Sequence, residues 1–381
     1  MPARAGRKVS APTAKRLREA IERQIEAGEI PGGVVLVGRG GEVLCHEAVG
    51  ERMVAPERRP MEPDTLFDLA SVTKPVATAT VVMQLVEEGR LAVDGRVCEW
   101  VEGIDERVTL RHLLTHSSGL PAHKNYMMEW GDWPQLERPD MHDTAGGVQA
   151  PALQSEERRE RVVADICGLP LQWAPGEGFA YSCLGFIVLT AVVERVTGER
   201  LDRLVEQRVT GPLGMKDTGF CRDEARRARC AATEQFPEGV LCGVVHDENA
   251  RYLGGLSGNA GLFGTAGDLA RFVALVMGGG ELEGERVLAA DTVAMMTTPQ
   301  SRLVGGVRGL GWDIDSTYSA APRGGFPMAS FGHTGYTGTS IWGDRASGVF
   351  VVLLTNRVHF GREKDVRGLR REVGEIVAEI T

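Results

Sequence analysis

Apolar side chains recur along this chain with two different periods. Leu17, Ile21 and Ile25 are spaced as on a helix, and the run stops at Gly28 and Pro31-Gly32, so the first element is an amphipathic helix. Two short apolar runs follow, Val34–Val37 and Val43–Ala48. They are joined through Arg39-Gly40-Gly41, where glycine permits positive φ, and together they predict a β-hairpin. The far end repeats this order: Thr339–Trp342 and Val349–Leu354 flank Asp344–Gly348, and Val366, Leu369, Val373, Ile376 and Val377 mark a closing helix. From about Ser71 to Val209 the strong signals are helical instead, notably Gly185–Val196 and Leu201–Val209. The expected fold is therefore α+β, an α/β sandwich in which an antiparallel β-sheet drawn from both chain ends is flanked by helices and carries an inserted, mainly helical subdomain. The sheet-bearing part is expected at 1–69 and 237–381 and the helical part at 70–236, within one domain.

The most apolar helical stretch opens at Ser71. Val72, Val76, Ala79, Met83 and Val86 follow at helical spacing, while Val81, Val82 and Leu85 fill other faces, which predicts a helix buried nearly all round. Pro75 is tolerated only in a first turn, so the helix should start close to Ser71, and Gly89 supplies the stop. The Ser71 hydroxyl would then meet the free N–H groups of the first turn, with Lys74 one turn along the same face. A serine hydroxyl is a poor nucleophile until a neighbouring base takes its proton, and a Ser-Lys pair at i, i+3 is one arrangement that achieves this.

Composition narrows the setting. The 381 residues are 43% hydrophobic and 25% charged, enough for one large core or two interleaved subdomains. A formal net charge of −9 argues against nucleic acid as a partner, since the arginine clusters at Arg158, Arg159 and Arg161 and at Arg226, Arg227 and Arg229 have acids nearby. No stretch reaches the length of a membrane span, and Met1–Lys8 is positive without an apolar core after it. Seven cysteines without C-x-x-C pairs fit free thiols in a reducing compartment, so the expected location is cytoplasmic. The longest irregular stretch, about Ala122–Ser155, holds Tyr126, Trp130 and Trp133 and reads as a lid, a binding wall or a surface excursion.

Two further stretches carry chemistry. Tyr181-Ser182-Cys183 opens an apolar helical run, and a tyrosine there could serve as base for Ser71, with Lys74 lowering its phenol pKa. Gly332-His333-Thr334-Gly335-Tyr336-Thr337-Gly338 is a glycine-spaced strand entry, where backbone can approach a substrate closely and donate an N–H. With these stretches in this order, the sequence resembles the serine β-lactamase and penicillin-binding-protein superfamily, specifically its class C-like branch of D,D-peptidases and esterases. Arg111–Pro121, Gly211-Pro212-Leu213-Gly214-Met215 and Gly258-Asn259-Ala260-Gly261-Leu262-Phe263 also look like stretches of that branch, so the resemblance spans most of the chain.

The resemblance implies an active site in the cleft between sheet and helical subdomain. Matched residue by residue, Ser71 becomes the acylated nucleophile, Lys74 its electrostatic and proton-transfer partner and Tyr181 the candidate base. The N–H groups of Ser71 and Tyr336 become the oxyanion hole. His333, Thr334, Gly335, Cys183 and His123 fall at substrate-contacting positions. Two departures bear on the substrate. His333 stands where many relatives carry lysine, so carboxylate recognition at neutral pH is weakened. Cys183 stands where many carry asparagine; a thiol is a poor hydrogen-bond partner, and beside Lys74 it is expected to point into the cleft with a lowered pKa.

Other patterns give way to simpler readings. His112 and His116 are spaced i, i+4 but lack the glutamate of a zinc-protease helix. His246-Asp247-Glu248-Asn249 offers contiguous ligand-type side chains that point apart, and reads as a hydrogen-bonded segment near the cleft. The glycines from Gly254 to Gly267 are not followed by G-K-[ST]; a helix begins instead at Thr265, with Asp268 at capping-box spacing. No metal and no cofactor are expected. The function that follows is a serine hydrolase working through an acyl-enzyme on an ester or amide bond, of a D-alanyl-type peptide, a short acyl ester or, less well, a β-lactam, with a small molecule or peptide as substrate and the oligomeric state open. The alternative is a non-catalytic, penicillin-binding-like sensor or scaffold.

Overall fold

The structure, a computed structural model, describes residues 8–130, 152–220, 224–236, 239–318 and 320–380. Its frame is a nine-stranded antiparallel sheet drawn from both ends of the chain. In chain order the strands are β1 (Gly32–Arg39), β2 (Glu42–Met53), β3 (Arg59–Pro60), β4 (Ser301–Leu303), β5 (Gly306–Arg308), β6 (Asp313–Ser316), β7 (Phe331–Thr334), β8 (Ser340–Gly343) and β9 (Val349–Thr355). In space they run β4-β5-β6-β7-β8-β9-β1-β2-β3, so the first strand of the chain pairs with the last, Val35 opposite Leu353 and Leu36 opposite Val352.

Both faces of this sheet are covered. Val35, Val37, Val351 and Leu353 pack with Leu17 and Ile21 of helix α1 (Ala11–Glu26) and with Leu369, Val373 and Ile376 of the C-terminal helix Arg367–Ala378. Val34, Leu36, Val352 and Leu354 pack on the other face, in one cluster with the helices Thr80–Glu87 and Ala266–Met277. That is why β1 and β9 read as unbroken apolar runs rather than alternating ones. Full burial of each such side chain contributes about 1.5–3 kcal/mol. The closing helix and the amphipathic first helix, both expected from their periodicity, pack against each other on this face.

Between the sheet segments, helices Cys183–Thr197 and Leu201–Val205 match their expected positions to within a few residues. The Ser71 stretch departs from a regular helix. A 3₁₀ turn at Ala70–Val72 passes into a π-helical segment, Lys74–Ala79, before α-helix begins at Thr80–Glu87; Gly89 follows at φ +69°. Pro75 lies inside the π segment, where it lacks an N–H and its ring crowds the carbonyl one turn back. Widening the turn relieves that crowding, and the Thr80 hydroxyl satisfies the Pro75 carbonyl at 2.8 Å. Of the irregular stretch after Ala122, Tyr126–Trp130 is a short helix and a longer one starts at Ala152; Trp133 lies outside the described residues. No helix among the described residues is long and apolar enough to cross a membrane.

Candidate active site

Ser71 sits at the end of a tight entry into the helical block. Phe67–Asp68 is a strand of a small sheet with Leu262–Gly264 and Gly219–Phe220, and Ala70 then turns at φ +46°. A non-glycine residue in that region costs about 1–2 kcal/mol. Buried Asp68 holds the turn, its carboxylate accepting the Ala70 N–H at 2.9 Å and the His246 N–H at 2.6 Å. One 3₁₀ turn on, Lys74 Nζ donates to Ser71 Oγ at 2.9 Å, to the Asn259 carbonyl at 2.9 Å and to Cys183 Sγ at 3.5 Å. Burial works against this ammonium, while Cys183 and Tyr181 favour it, and the balance lies above the ordinary lysine value. Lys74 is therefore an ammonium at rest.

Tyr181 and Cys183 come from the N-terminus of helix Cys183–Thr197, where Ser182 is the N-cap. The Tyr181 ring lies 5.0 Å from Lys74 Nζ and 4.4 Å from the imidazole of His116. Its hydroxyl is close enough to Ser71 and Lys74 to respond to both, yet no hydrogen bond of normal geometry reaches it among the described residues. Burial pushes the phenol up, and Lys74 opposes this without reversing it. The sequence-based expectation of a lowered pKa at Tyr181 is thus corrected: the cation is present, but desolvation outweighs it. The same holds at Cys183, whose thiol faces Lys74 as expected but is pushed up by burial more than Lys74 pulls it down.

The facing wall is the turn from β7 into β8. Thr337 Oγ1 donates to the Asp68 carbonyl at 2.7 Å and Thr339 Oγ1 to the Leu69 carbonyl at 3.0 Å, so this turn is stitched to the segment before Ser71. Gly335 is required there, because a Cβ would fall 2.1 Å from Thr339 Oγ1 and 2.6 Å from the Leu69 carbonyl. His333 is buried, and desolvation, with Arg308 and Lys74 next, holds its imidazole well below the usual range, so it is neutral. Its Nδ1 lies 2.9 Å from the Thr334 carbonyl, which assigns the proton to Nδ1.

A cavity of about 660 Å³ lies between the two walls. Ser71, Tyr181, Cys183, His123, His333, Thr334, Gly335 and Tyr336 all line it, and Lys74 reaches it through its contacts with Ser71 and Cys183. The fold thus brings together the residues assigned to the cleft from the sequence. It also adds Arg308, Asp313 and Arg370, which no motif marks. Arg308 Nη1 is 3.3 Å from Asp313 Oδ1, both side chains are buried, and the Arg308 Nε and Nη2 have no hydrogen-bond partner among the described residues. A lone arginine in the apolar, glycine-rich run Gly306–Leu310 was the one available signal.

The other histidines have structural work. His112 Nδ1 accepts from the Thr109 N–H at 3.2 Å in a capping box, and His116 Nδ1 accepts from the Ser182 N–H at 3.1 Å. His246 meets Glu234 at 3.0 Å, Glu248 meets Arg362 at 2.7 Å, and Arg362 pairs with Glu234 in turn, while Asn249 Oδ1 accepts from the Tyr126 N–H. The segment is hydrogen-bonded beside the cleft as expected, but His246, Asp247 and Glu248 share the cavity wall instead of pointing apart. The glycine run packs closely: a Cβ on Gly258 would lie 2.5 Å from Thr190 Oγ1, and Thr265 caps the following helix through the Asp268 N–H.

Comparison with known proteins follows the same lines. A protein-family model described as Beta-lactamase matches residues 17–375. The chain is similar to a putative D-alanyl-D-alanine carboxypeptidase of Escherichia coli (strain K12), with 34% identity over 77% of this chain and 70% of that protein. It is also similar to esterase EstB of Burkholderia gladioli, at 32% identity over 92% of each. Among solved structures, a class C beta-lactamase superposes with a TM-score of 0.74 over 99% of both chains at 17% identity, a likeness of fold.

Proposed function

The chain belongs to the Beta-lactamase family of serine hydrolases, and from that membership we propose that Ser71 is its acylated nucleophile, with Lys74 and Tyr181 as the proton-handling pair. The observation that carries this is the 2.9 Å hydrogen bond from Lys74 Nζ to Ser71 Oγ on the wall of the cavity. At rest the pair holds an ammonium and a phenol, so it must lose one proton before it can accept that of Ser71. Ser71 Oγ then attacks the carbonyl carbon and its proton passes to the pair, which returns it to the leaving group as the ester or amide bond breaks. Water repeats the sequence in reverse on the acyl-enzyme. The N–H groups of Ser71 and Tyr336 receive the developing oxyanion; loss of one such donor costs about 100-fold to 1000-fold in other hydrolases.

Short acyl esters are the substrates we favour first, because neutral His333 supplies no charge to the carboxylate that D-alanyl-type peptides and β-lactams both carry. A carboxylate-bearing substrate of the D-alanyl-peptide type is the second reading, and the observation behind it is Arg308, a buried guanidinium on the same wall with two nitrogens uncommitted among the described residues, a cation that His333 is not. No observation favours a non-catalytic scaffold, since Cys183 leaves the Lys74–Ser71 contact intact. We read 70–236 as a helical subdomain set against the remainder. We also infer a cytoplasmic location, in keeping with the free thiols of Cys45, Cys98, Cys167 and Cys183.

The test is to give purified protein p-nitrophenyl butyrate, a D-alanyl-D-alanine peptide and a chromogenic cephalosporin, and to follow intact mass. Turnover of the first two with an acyl adduct on Ser71 is expected. A protein inert to all three, or one that turns over the cephalosporin fastest, contradicts the reading.

A further inference from the structure

Arg370 enters the cavity from the opposite end of the chain, on the first turn of helix Arg367–Ala378. Its Nη2 donates to the Gly335 carbonyl at 2.9 Å and to the Thr339 carbonyl at 2.8 Å. These two carbonyls bracket the turn that carries Tyr336, which closes on itself through the Gly335 N–H to Thr339 carbonyl bond at 2.7 Å and the Gly338 N–H to Gly335 carbonyl bond at 3.2 Å. The Gly335 carbonyl belongs to the same peptide group as the Tyr336 N–H. A cation donating to one end of a peptide group fixes its plane and draws electron density toward that end, so the N–H at the other end becomes a stronger donor.

Partial burial adds to this effect. The side chain is half-buried, and desolvation pulls its pKa down to about 9, so it is still charged at neutral pH and is screened less than a surface arginine. Its nearest like-charged neighbour in effect is Arg357 and its nearest acid Asp365, which itself pairs with Arg367 at 2.7 Å, so the two backbone carbonyls remain its hydrogen-bonded partners. The turn has no slack to absorb a loss: Gly335 abuts Leu69 and Thr339, and Thr337 and Thr339 tie it to the residues before Ser71.

We propose that Arg370 is the positioning residue of the oxyanion hole: it orients and polarises the Gly335–Tyr336 peptide group so that the Tyr336 N–H meets negative charge developing on the substrate carbonyl oxygen. This rests on the reading of Ser71 and Tyr336 given under Proposed function. Arg370 touches neither substrate nor nucleophile, and acts only when the oxygen becomes anionic. Its effect therefore falls on the transition state and on anionic tetrahedral adducts, and leaves ground-state binding alone.

The experiment compares the parent with Arg370→Gln, Arg370→Lys and Arg370→Ala. Fluorophosphonate titration counts competent sites, and kcat and KM for p-nitrophenyl butyrate are read per competent site, together with the Ki of a phenylboronic acid, which forms an anionic tetrahedral adduct on Ser71. For Arg370→Gln we expect kcat to fall about tenfold to a hundredfold with KM within about twofold, and the boronate Ki to rise by the same factor as kcat falls. Arg370→Lys, which keeps the charge but can reach fewer acceptors, should lie between. Guanidinium ion at millimolar concentration should restore part of the kcat of Arg370→Ala, since the slot opens onto the cavity, and should do nothing for the parent. An unchanged kcat in Arg370→Gln overturns the proposal. So does a fall in kcat with the boronate Ki at its parental value, which marks a merely structural role. Should Arg370→Gln fail to fold, absence of any difference between Arg370→Lys and the parent in kcat and Ki overturns it equally. A parent that reacts with neither ester nor boronate sinks the hydrolase reading itself, which is distinguishable because no variant is then needed.

Discussion

The two walls of the cavity are built in opposite ways. On the helical side, Ser71 and Lys74 are three residues apart, and Tyr181 and Cys183 two, so the chemistry is carried by short segments whose own turns bring the groups together. On the strand side, neutral His333 shares the cavity with two cations that arrive from elsewhere, Arg308 from β5 and Arg370 from the C-terminal helix. The first wall holds the proton-handling groups, and the second supplies fixed charge and a shaped backbone. Damage to the first should therefore stop the reaction at its proton transfers, whereas damage to the second should change stability, charge preference and oxyanion stabilisation while leaving the proton-handling groups in place.

The largest effects are expected on the helical wall. Ser71→Ala should abolish ester turnover and labelling by fluorophosphonate, and Lys74→Ala and Tyr181→Phe should each lower kcat/KM by about 100-fold to 10,000-fold. The parental rate should rise with pH from neutrality into the alkaline range, because the lysine and the phenol both stand above their ordinary values and activation requires a proton to leave the pair. Rates that peak below pH 7, measured with p-nitrophenyl butyrate across a constant-ionic-strength buffer series, contradict that assignment.

The strand wall should answer in stability first. Arg308→Met leaves Asp313 as a buried carboxylate without its cation, a loss of about 3–5 kcal/mol when one partner of a buried pair is removed. Replacing both, as Arg308→Met with Asp313→Leu, should recover most of it in urea unfolding, since the desolvation of both charges disappears together. If the single variant unfolds at the parental midpoint, the pair carries none of the wall's stability.

This contrast explains how much could be read before the fold was known. Ser71, Lys74, Tyr181 and His333 were legible because each lies in a short pattern whose geometry is local, the strands β1 and β9 because burial on both faces leaves an unbroken apolar signature, and β2 and β8 because short runs flank the turns that join them to those strands. Arg308 and Arg370 were not. One is a single cation in a strand and the other one of three arginines on an amphipathic helix, and only the packing of that helix against the β7–β8 turn turns Arg370 toward Gly335. The π segment at Lys74–Ala79 was hidden for a related reason: Pro75 announces a helix start, but whether the following turn tightens or widens depends on the Thr80 hydroxyl and the wall it packs against. The pKa expectations at Tyr181 and Cys183 failed because sequence gives the neighbour, Lys74, and withholds the degree of burial.

A smaller effect separates the walls by acid titration. His116 and His333 are buried, and their imidazoles are held well below an ordinary value of about 6.5, chiefly by desolvation. Both are neutral in the fold above and just below neutrality, while the unfolded chain takes up a proton at each as the pH falls past about 6.5. The unfolded state then binds more protons, so stability decreases on acidification, by at most about 1.4 kcal/mol per pH unit for each histidine. His333→Gln should remove one such increment from the slope of unfolding free energy between pH 6.5 and 5, and leave stability at pH 8 within about 1 kcal/mol of the parent. An unchanged slope shows that His333 titrates alike in both states.

The smallest expected effect concerns Cys183, where the helical wall is open to a test of which influence dominates. The thiol lies 3.5 Å from an ammonium, which favours thiolate, and it is enclosed, which disfavours it; the balance is a pKa above the ordinary thiol value. Cys45 and Cys167, without Lys74 beside them, are pushed up to about 11 by burial. Iodoacetamide at pH 7 should accordingly label Cys183 slowly, with a rate that grows about tenfold per pH unit as the thiolate fraction rises. Because Cys183 and Ser71 line one cavity, an acyl or phosphonyl group held on Ser71 should slow the labelling further. Peptide mass mapping with and without that group makes the comparison. Rapid labelling at pH 7 would mean that Lys74 overrides burial, and the same electrostatics would then have to lower Tyr181 as well, placing a phenolate beside Ser71 in the resting enzyme. Slow labelling with protection leaves the ammonium-phenol pair as the resting state, and the alkaline rise in rate is then the same proton leaving that allows Ser71 to attack.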